Sequence, residues 1–158
     1  MKNKIWFLAI IVIIIDQITK QLIMSLIEYG SSTKLINNFL YFSHSQNRGA
    51  AWGIFQEKTL FLILVAVLFL IYLIKMIKED KELEKLDVLA YGFLLGGVFG
   101  NLADRIIMGY VVDFIEVHIF NYIFPIFNLA DSAIVIGTFL MILLIIKEWW
   151  VVGRNKGK

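Results

Sequence analysis

The chain has 158 residues, of which 59% are hydrophobic and 15% aromatic, while only 18% are charged. A water-soluble domain of this size cannot hide so much apolar surface, so the composition points away from one. A formal net charge of +2 gives little hold for nucleic acid, and the absence of cysteine excludes disulfides, thiol catalysis and cysteine-bound metal.

Residues 5–26 form the first long apolar stretch, entered through Lys2 and Lys4. Lysines ahead of such a run suggest a secretory leader. However, Asp16, Gln17 and Lys20 interrupt the run and no small-x-small cleavage site follows, so it reads as a retained span. A bilayer core about 30 Å thick takes roughly 20 apolar helical residues, and three further segments meet that demand, at about 60–77, 86–108 and 126–150. The second is the cleanest, with nothing more polar than Tyr72 between Leu60 and Ile74. Gly109 is a natural stop for the third, and the lone Pro125 a natural start for the fourth. The prediction is an all-α membrane protein with four transmembrane helices, folded as a single integral membrane domain over 1–158.

Basic residues set the expected orientation. Lys2, Lys4, Lys75, Lys78, Lys81, Lys85, Lys147, Arg154, Lys156 and Lys158 fall on one side, while Lys34, Arg48 and Lys58 fall in connections on the other. The positive-inside rule then places both termini in the cytoplasm. The mixed-sign run 75–87 reads as a solvated cytoplasmic turn. The connection 27–56 lies outside, and its aromatic and small residues suit short strands or turns in the headgroup region, with Trp52 as an anchor.

The informative residues are ionisable groups inside or beside the spans, each costing about 2.5–3.5 kcal/mol at a helix centre unless paired or used. Asp16 and Lys20 are four apart on one helix face, with the acid N-terminal to the base as favours a structural ion pair. In the third span Gly92, Gly96 and Gly100 make a smooth stripe for close helix approach. Asn101, Asp104 and Arg105 cap that stripe with a polar cluster, structural or catalytic on this reading.

Two carboxylates stand apart. Asp113 follows the third span within Val111-Val112-Asp113-Phe114, and Asp131 opens the fourth, three residues after Asn128. The topology brings both to one depth, and neither has a basic partner in its own segment. Two acids in an apolar site cannot easily both ionise, and a singly protonated pair can activate water and protonate a leaving amine. Each could instead cap a helix end or bind backbone amides. Other constellations fail. His44 and His118 lack spaced acidic partners for zinc, there is no Gly-x-Ser-x-Gly elbow, and no phosphate-cradling glycine loop is present.

Five blocks, in order, carry a family resemblance: Asp16-Gln17-Ile18-Thr19-Lys20, 47–53 (Asn47-Arg48-Gly49 onward), 97–105 (ending Asp104-Arg105), Val111-Val112-Asp113-Phe114 and Phe127-Asn128-Leu129-Ala130-Asp131. Together they make the chain resemble the bacterial lipoprotein signal peptidases, the type II signal peptidase family of membrane aspartic proteases. The resemblance implies cleavage of the signal peptide from diacylglyceryl-modified prolipoproteins, just before the lipidated cysteine, with no metal and no cofactor. It implies a catalytic pair of Asp113 and Asp131, with Asn47, Gly49, Arg105 and Asn128 lining the site and Asn101, Asp104, Asp16 and Lys20 supporting it. It also implies a small extracytoplasmic β-cradle in the first outer loop, matching the strand-like reading of 36–55.

On this view the protein lies in the bacterial cytoplasmic membrane as a monomer, its site facing outward among membrane lipids. Helices three and four would part to admit the acyl chains, and residues 116–124 would form a lid. A small proton-coupled transporter or channel is the main alternative, because intramembrane Asp, Lys and Arg mark such pathways too. A non-enzymatic assembly subunit docking on the glycine stripe leaves the acid pair unexplained.

Overall fold

The computed structural model of the chain describes residues 1–49, 54–80 and 82–156. Four long helices are present: α1 (Lys2–Leu26), α2 (Thr59–Glu79), α3 (Lys85–Met108) and α4 (Leu129–Lys156). Each holds an apolar span of 21 to 25 residues, which at 1.5 Å per residue is roughly 32–38 Å and matches a bilayer core. Large apolar side chains such as Phe7, Leu60, Ile107 and Phe139 are exposed along their length. In water that surface would drive aggregation, whereas lipid tails cover it without cost.

α3 is the central helix. Its span is 61% buried inside the protein, against 22%, 17% and 22% for α1, α2 and α4, and it packs on all three of them. The glycines explain how. A side chain at Gly92 or Gly96 would collide with Leu8 and Val12, so this stripe is the seat of α1. On the adjoining face, a Cβ at Gly97 would fall on the Ala130 carbonyl oxygen, and one at Gly137 of α4 would meet Leu94. Backbones at such range exchange dispersion contacts that branched side chains would prevent. The α3 C-terminus closes on Gly109, whose φ of +80° is left-handed, as its placement in the sequence predicts.

Lys2 Nζ donates to the Lys78 carbonyl at 2.8 Å, and Lys147 Nζ meets Glu84 at 2.6 Å. These contacts gather the start of α1, the end of α2, the start of α3 and the last turns of α4 at one end of the bundle. The opposite end carries a four-stranded antiparallel sheet in the order β1 (Ser32–Ile36), β2 (Leu40–Asn47), β3 (Val111–Ile119), β4 (Tyr122–Ile123).

The sheet differs from the expected cradle. Its first pair begins earlier in the chain than 36 and ends at Asn47, and its second pair comes from the connection after α3. Residues 116–124, expected as a lid, complete β3 and turn back through β4. Trp52, expected as a headgroup anchor, lies outside the described residues.

The fourth helix also starts later than residue 126. Pro125 is followed not by helix but by an extended stretch in which Phe127 exchanges backbone hydrogen bonds with Ile115, at 2.7 and 3.1 Å. Helix begins only once Asn128 has capped it. The side chain of Asn128 accepts the Asp131 N–H at 2.8 Å and that of Asp131 accepts the Asn128 N–H at 3.2 Å, a reciprocal capping pair.

Close packing of α3 on α4 predicts the behaviour of Gly97→Ala. Overpacking costs about 1–3 kcal/mol, and here it falls at the upper end because the obstructing atom is a backbone carbonyl that cannot give way. The helix-propensity gain of about 1 kcal/mol for Gly to Ala therefore offsets only part of it. The variant should unfold several degrees lower than the parent in detergent, as followed by differential scanning fluorimetry. An unchanged midpoint would refute this packing.

Candidate active site

The site is built outward from a buried ion cluster. Lys20 of α1 is 1% exposed, and its ammonium lies 2.8 Å from Asp16, 2.8 Å from Asp104 and 3.0 Å from the Asn101 side-chain oxygen. An ammonium has three N–H donors, so all three are used. The acids are equally engaged. Asp16 accepts the Ala130 N–H at 2.9 Å, while Asp104 accepts the Gln17 amide at 2.8 Å and the Val112 N–H at 3.3 Å. One cluster thereby ties α1 and α3 to the first residues of β3 and α4. Gly100 completes the fit, since a Cβ there would stand 2.7 Å from an Asp16 carboxylate oxygen.

Those first residues of β3 and α4 carry the two acids. Asp113, 3% exposed, accepts from the Asn128 amide at 2.7 Å and from the Asn47 amide at 2.9 Å. The sheet register explains the second bond. Ser45 faces Asp113 and Asn47 faces Val111, so Asn47 and Asp113 are diagonal neighbours on one face. Asp131 accepts from the Asn101 amide at 2.7 Å and from the Asn128 backbone. Asn128, fully buried, also donates to the Asn101 oxygen at 3.2 Å. Three asparagines therefore hold both carboxylates with neutral amide donors.

Arg105 does not bond either acid. It donates to the Gly49 carbonyl at 2.8 Å, while the Gly49 N–H is taken by the Asn47 side chain at 2.9 Å. It still stands within electrostatic range of Asp131, Asp113 and Asp104. Burial above all, and then the charge of Asp131, pushes the Asp113 carboxyl up to about 7 against the hydrogen bonds of Asn47 and Asn128.

Both acids, with Asn47, Asn101 and Arg105, line a cavity of about 780 Å³ whose remaining walls are mostly apolar. Leu62, Val65, Ala66 and Phe69 of α2 form one side, Val98 of α3 the back, and Ser132, Ile134, Val135 and Ile136 of α4 the other side. The expected parting of helices three and four is thus corrected. Their glycines lock them together, and the cleft lies between α2 and α4.

Of the ten residues singled out from sequence, Asp113, Asp131, Asn47, Asn101 and Arg105 meet at this cavity. Gly49 and Asn128 bond directly to its lining residues, and Asp16, Lys20 and Asp104 lie behind it. Asp131 takes part in the cap of α4 and also lines the cavity. Gln17, to which the sequence assigns no role, donates to Asp104 and, at 3.3 Å, to the Gly100 carbonyl. Its placement beside Asp16 was the available signal. Among the described residues, no three histidine or acidic side chains converge as a metal site would need.

Comparison with known proteins adds two findings. The family described as signal peptidase (SPase) II matches residues 8–147 of the chain. Two solved structures, both described as bacterial membrane enzymes determined by the in meso method, are each 38% identical to it. One has a TM-score of 0.86 and covers 92% of this chain and 89% of its own; the other has 0.83, 92% and 94%.

The cluster makes a stability prediction. Lys20→Met leaves Asp16 and Asp104 buried without their cation, and breaking a buried pair in this way costs about 3–5 kcal/mol. Adding Asp16→Asn and Asp104→Asn removes the charges while leaving amide oxygens as acceptors, and should recover most of the loss. Thermal unfolding of the single and triple variants in detergent decides the matter. A single variant as stable as the parent would exclude the cluster as the brace.

Proposed function

The chain belongs to the signal peptidase II family, and on that premise we propose that it is an aspartic endopeptidase whose working acids are Asp113 and Asp131. It acts on lipoprotein precursors, removing their signal peptides, as a multi-pass protein of the bacterial cytoplasmic membrane. The observation that carries the finer reading is the placement of both acids on one largely apolar cavity, held by amides rather than by cations.

In the proposed reaction the pair holds one proton. The ionised member takes a proton from a water as its oxygen bonds to the scissile carbonyl carbon. The protonated member then gives its proton to the nitrogen as the C–N bond breaks. The apolar walls keep the acids coupled by excluding water, and the apparent pKa values belong to the pair. Asn47, Asn101 and Asn128 orient the carboxyl groups, Arg105 fixes the loop at Gly49, and Asp16, Lys20 and Asp104 brace the two acid-bearing segments.

The substrate is read as a diacylglyceryl-modified precursor cut just before its lipidated cysteine, its acyl chains lying in the cleft between α2 and α4. The lysines at the bundle end away from the sheet support cytoplasmic termini and an outward-facing site among membrane lipids. The chain works as a single domain and as a monomer. The transporter alternative is not favoured by the family, nor by the clustering of Asp16, Lys20, Asp104 and Asp113 toward the sheet rather than along the bundle.

Asp113→Asn and Asp131→Asn should each abolish cleavage of a diacylated lipobox peptide by the purified protein, a loss of at least about 100-fold if general acid–base catalysis is removed. Near-parental turnover in either variant would exclude the dyad. For the parent, turnover should fall as pH rises through about 7, when the second proton is lost, and again in acid when both carboxyls are protonated.

Stability should follow the same linkage. Asp113 has a folded pKa of about 7 against the ordinary 3.8 of an exposed aspartate, so its contribution is fully present below the lower value and is lost as pH rises through the higher one. The unfolding midpoint of Asp113→Asn relative to the parent should therefore become more favourable between pH 4 and pH 8. A difference independent of pH would contradict the assignment.

A further inference from the structure

The sheet carries a second cavity, of about 260 Å³, that the acid pair does not use. It lies between the segment after α1, β2, Glu116 of β3 and Ile126. Its chemistry is one-sided. His44 is 8% exposed, and its Nδ1 lies 2.9 Å from the Ile27 carbonyl. Nδ1 therefore carries the proton in a neutral ring, leaving Nε2 an acceptor. Among the described residues Nε2 is buried with no partner, a state that costs about 1–3 kcal/mol.

Glu116 adds a second acceptor. It takes the Ser43 hydroxyl on one oxygen and lies 2.6 Å from His118 Nε2 on the other. Burial pushes its carboxyl up, but those two hydrogen bonds outweigh burial and hold it below the usual range. A carboxylate with two bonds made still has lone pairs to offer. Among the described residues no lysine or arginine lines the cavity, while the Tyr29 ring stands at its wall, edge-on to His44 at 5.7 Å. Acceptors, a negative charge and an aromatic face fit an ammonium or guanidinium group.

The location selects the source. Ile126 is shared with the catalytic cavity, and Ser45 at the wall is the cross-strand partner of Asp113, about 5 Å away in such pairs. Glu116 lies three residues along β3 from Asp113, about 10 Å at roughly 3.3 Å per residue, so a chain two to four residues past the acids reaches its level on the sheet. A signal peptide is apolar and, like the acyl chains, suits the cleft between α2 and α4. The polar chain beyond the cysteine is the part that continues toward the sheet.

We propose that this cavity is a subsite for a lysine or arginine side chain carried two to four residues beyond the cleaved bond. The proposal rests on the reading that Asp113 and Asp131 cut that bond. A primary-amine lipid headgroup offers the same donor, so the test separates the two sources.

The full-length protein is placed in phosphatidylcholine vesicles free of amino lipids. It is given diacylated lipobox peptides with lysine or glutamine at the second, third or fourth position after the cysteine. Lysine at one of these positions should raise kcat/KM roughly tenfold through KM, the yield of one charge-assisted hydrogen bond. Glu116→Gln should bring the lysine-to-glutamine ratio to near one, whereas Glu57→Gln, an equal charge change at an exposed site outside the cavity, should leave the ratio unchanged. Glu116→Lys should turn the preference toward a glutamate-bearing peptide, an outcome that mere loss of stability cannot produce.

A parental ratio near one at every position, or a ratio untouched by Glu116→Gln, would overturn the subsite. Turnover that responds to added phosphatidylethanolamine without any lysine preference would also overturn it, assigning the cavity to a lipid. Absence of cleavage of every peptide by the parent would instead sink the reading of the acid pair, and the subsite with it.

Discussion

The ammonium of Lys20 is the interaction on which the rest depends. Placing one ion in a low-dielectric interior costs several kcal/mol even after relaxation, so a lone lysine there would drive α1 out of the bundle. Two carboxylates and an amide oxygen reverse that balance by saturating its three donors. The acids then spend their remaining lone pairs on the backbone N–H groups of Ala130 and Val112. Those N–H groups belong to the residues immediately before Asp131 and Asp113. A polar cluster in the helix core thus sets the positions of two acids to which its own charges are not bonded.

Much of this architecture was legible in the sequence because lipid imposes length. Each span shows as a run of apolar residues broken by few charges, and Gly109 marks a true helix end. The polar residues were conspicuous for the same reason, since Asp16, Lys20 and Asp104 stand out only against an apolar background. The sheet was harder to read. Val111 to Phe114 are buried on both faces, so β3 lacks the alternation that betrays a strand, and its partner lies more than sixty residues earlier. The late start of α4 was hidden because Phe127 makes sheet-like bonds that no local propensity records.

Helix glycines distribute the space that remains. Gly92, Gly96 and Gly100 bring α1 close to α3, and Gly97 does the same for α4. α2 packs on α3 through larger residues such as Leu70, Leu73 and Ile77. The cleft between α2 and α4 follows from that inequality, and it is where an apolar chain could reach the acids from the side. The sequence stripe alone could not say which neighbour each glycine serves, because a single residue, about 100° of rotation, separates the face for α1 at Gly96 from the face for α4 at Gly97.

The use of asparagine rather than arginine around the acids has an electrostatic reason. A cation 4 Å from a carboxylate at an effective dielectric of 20 is worth about 4 kcal/mol, or roughly three pKa units. Such a partner would hold each acid ionised and deny the pair the single proton that the proposed chemistry requires. Amides fix the same oxygens at 2.7 to 2.9 Å with no full charge. Arg105 lies within electrostatic range of both acids, yet its guanidinium is turned to the Gly49 carbonyl. Lys20 is not bonded to Asp131; its ammonium binds the Asn101 oxygen, whose amide N–H donates to the acid, so its charge reaches Asp131 across that amide and not as a direct ion pair. The protein keeps its strong charges one residue away from the proposed chemistry, where they brace the acids without deciding their protonation.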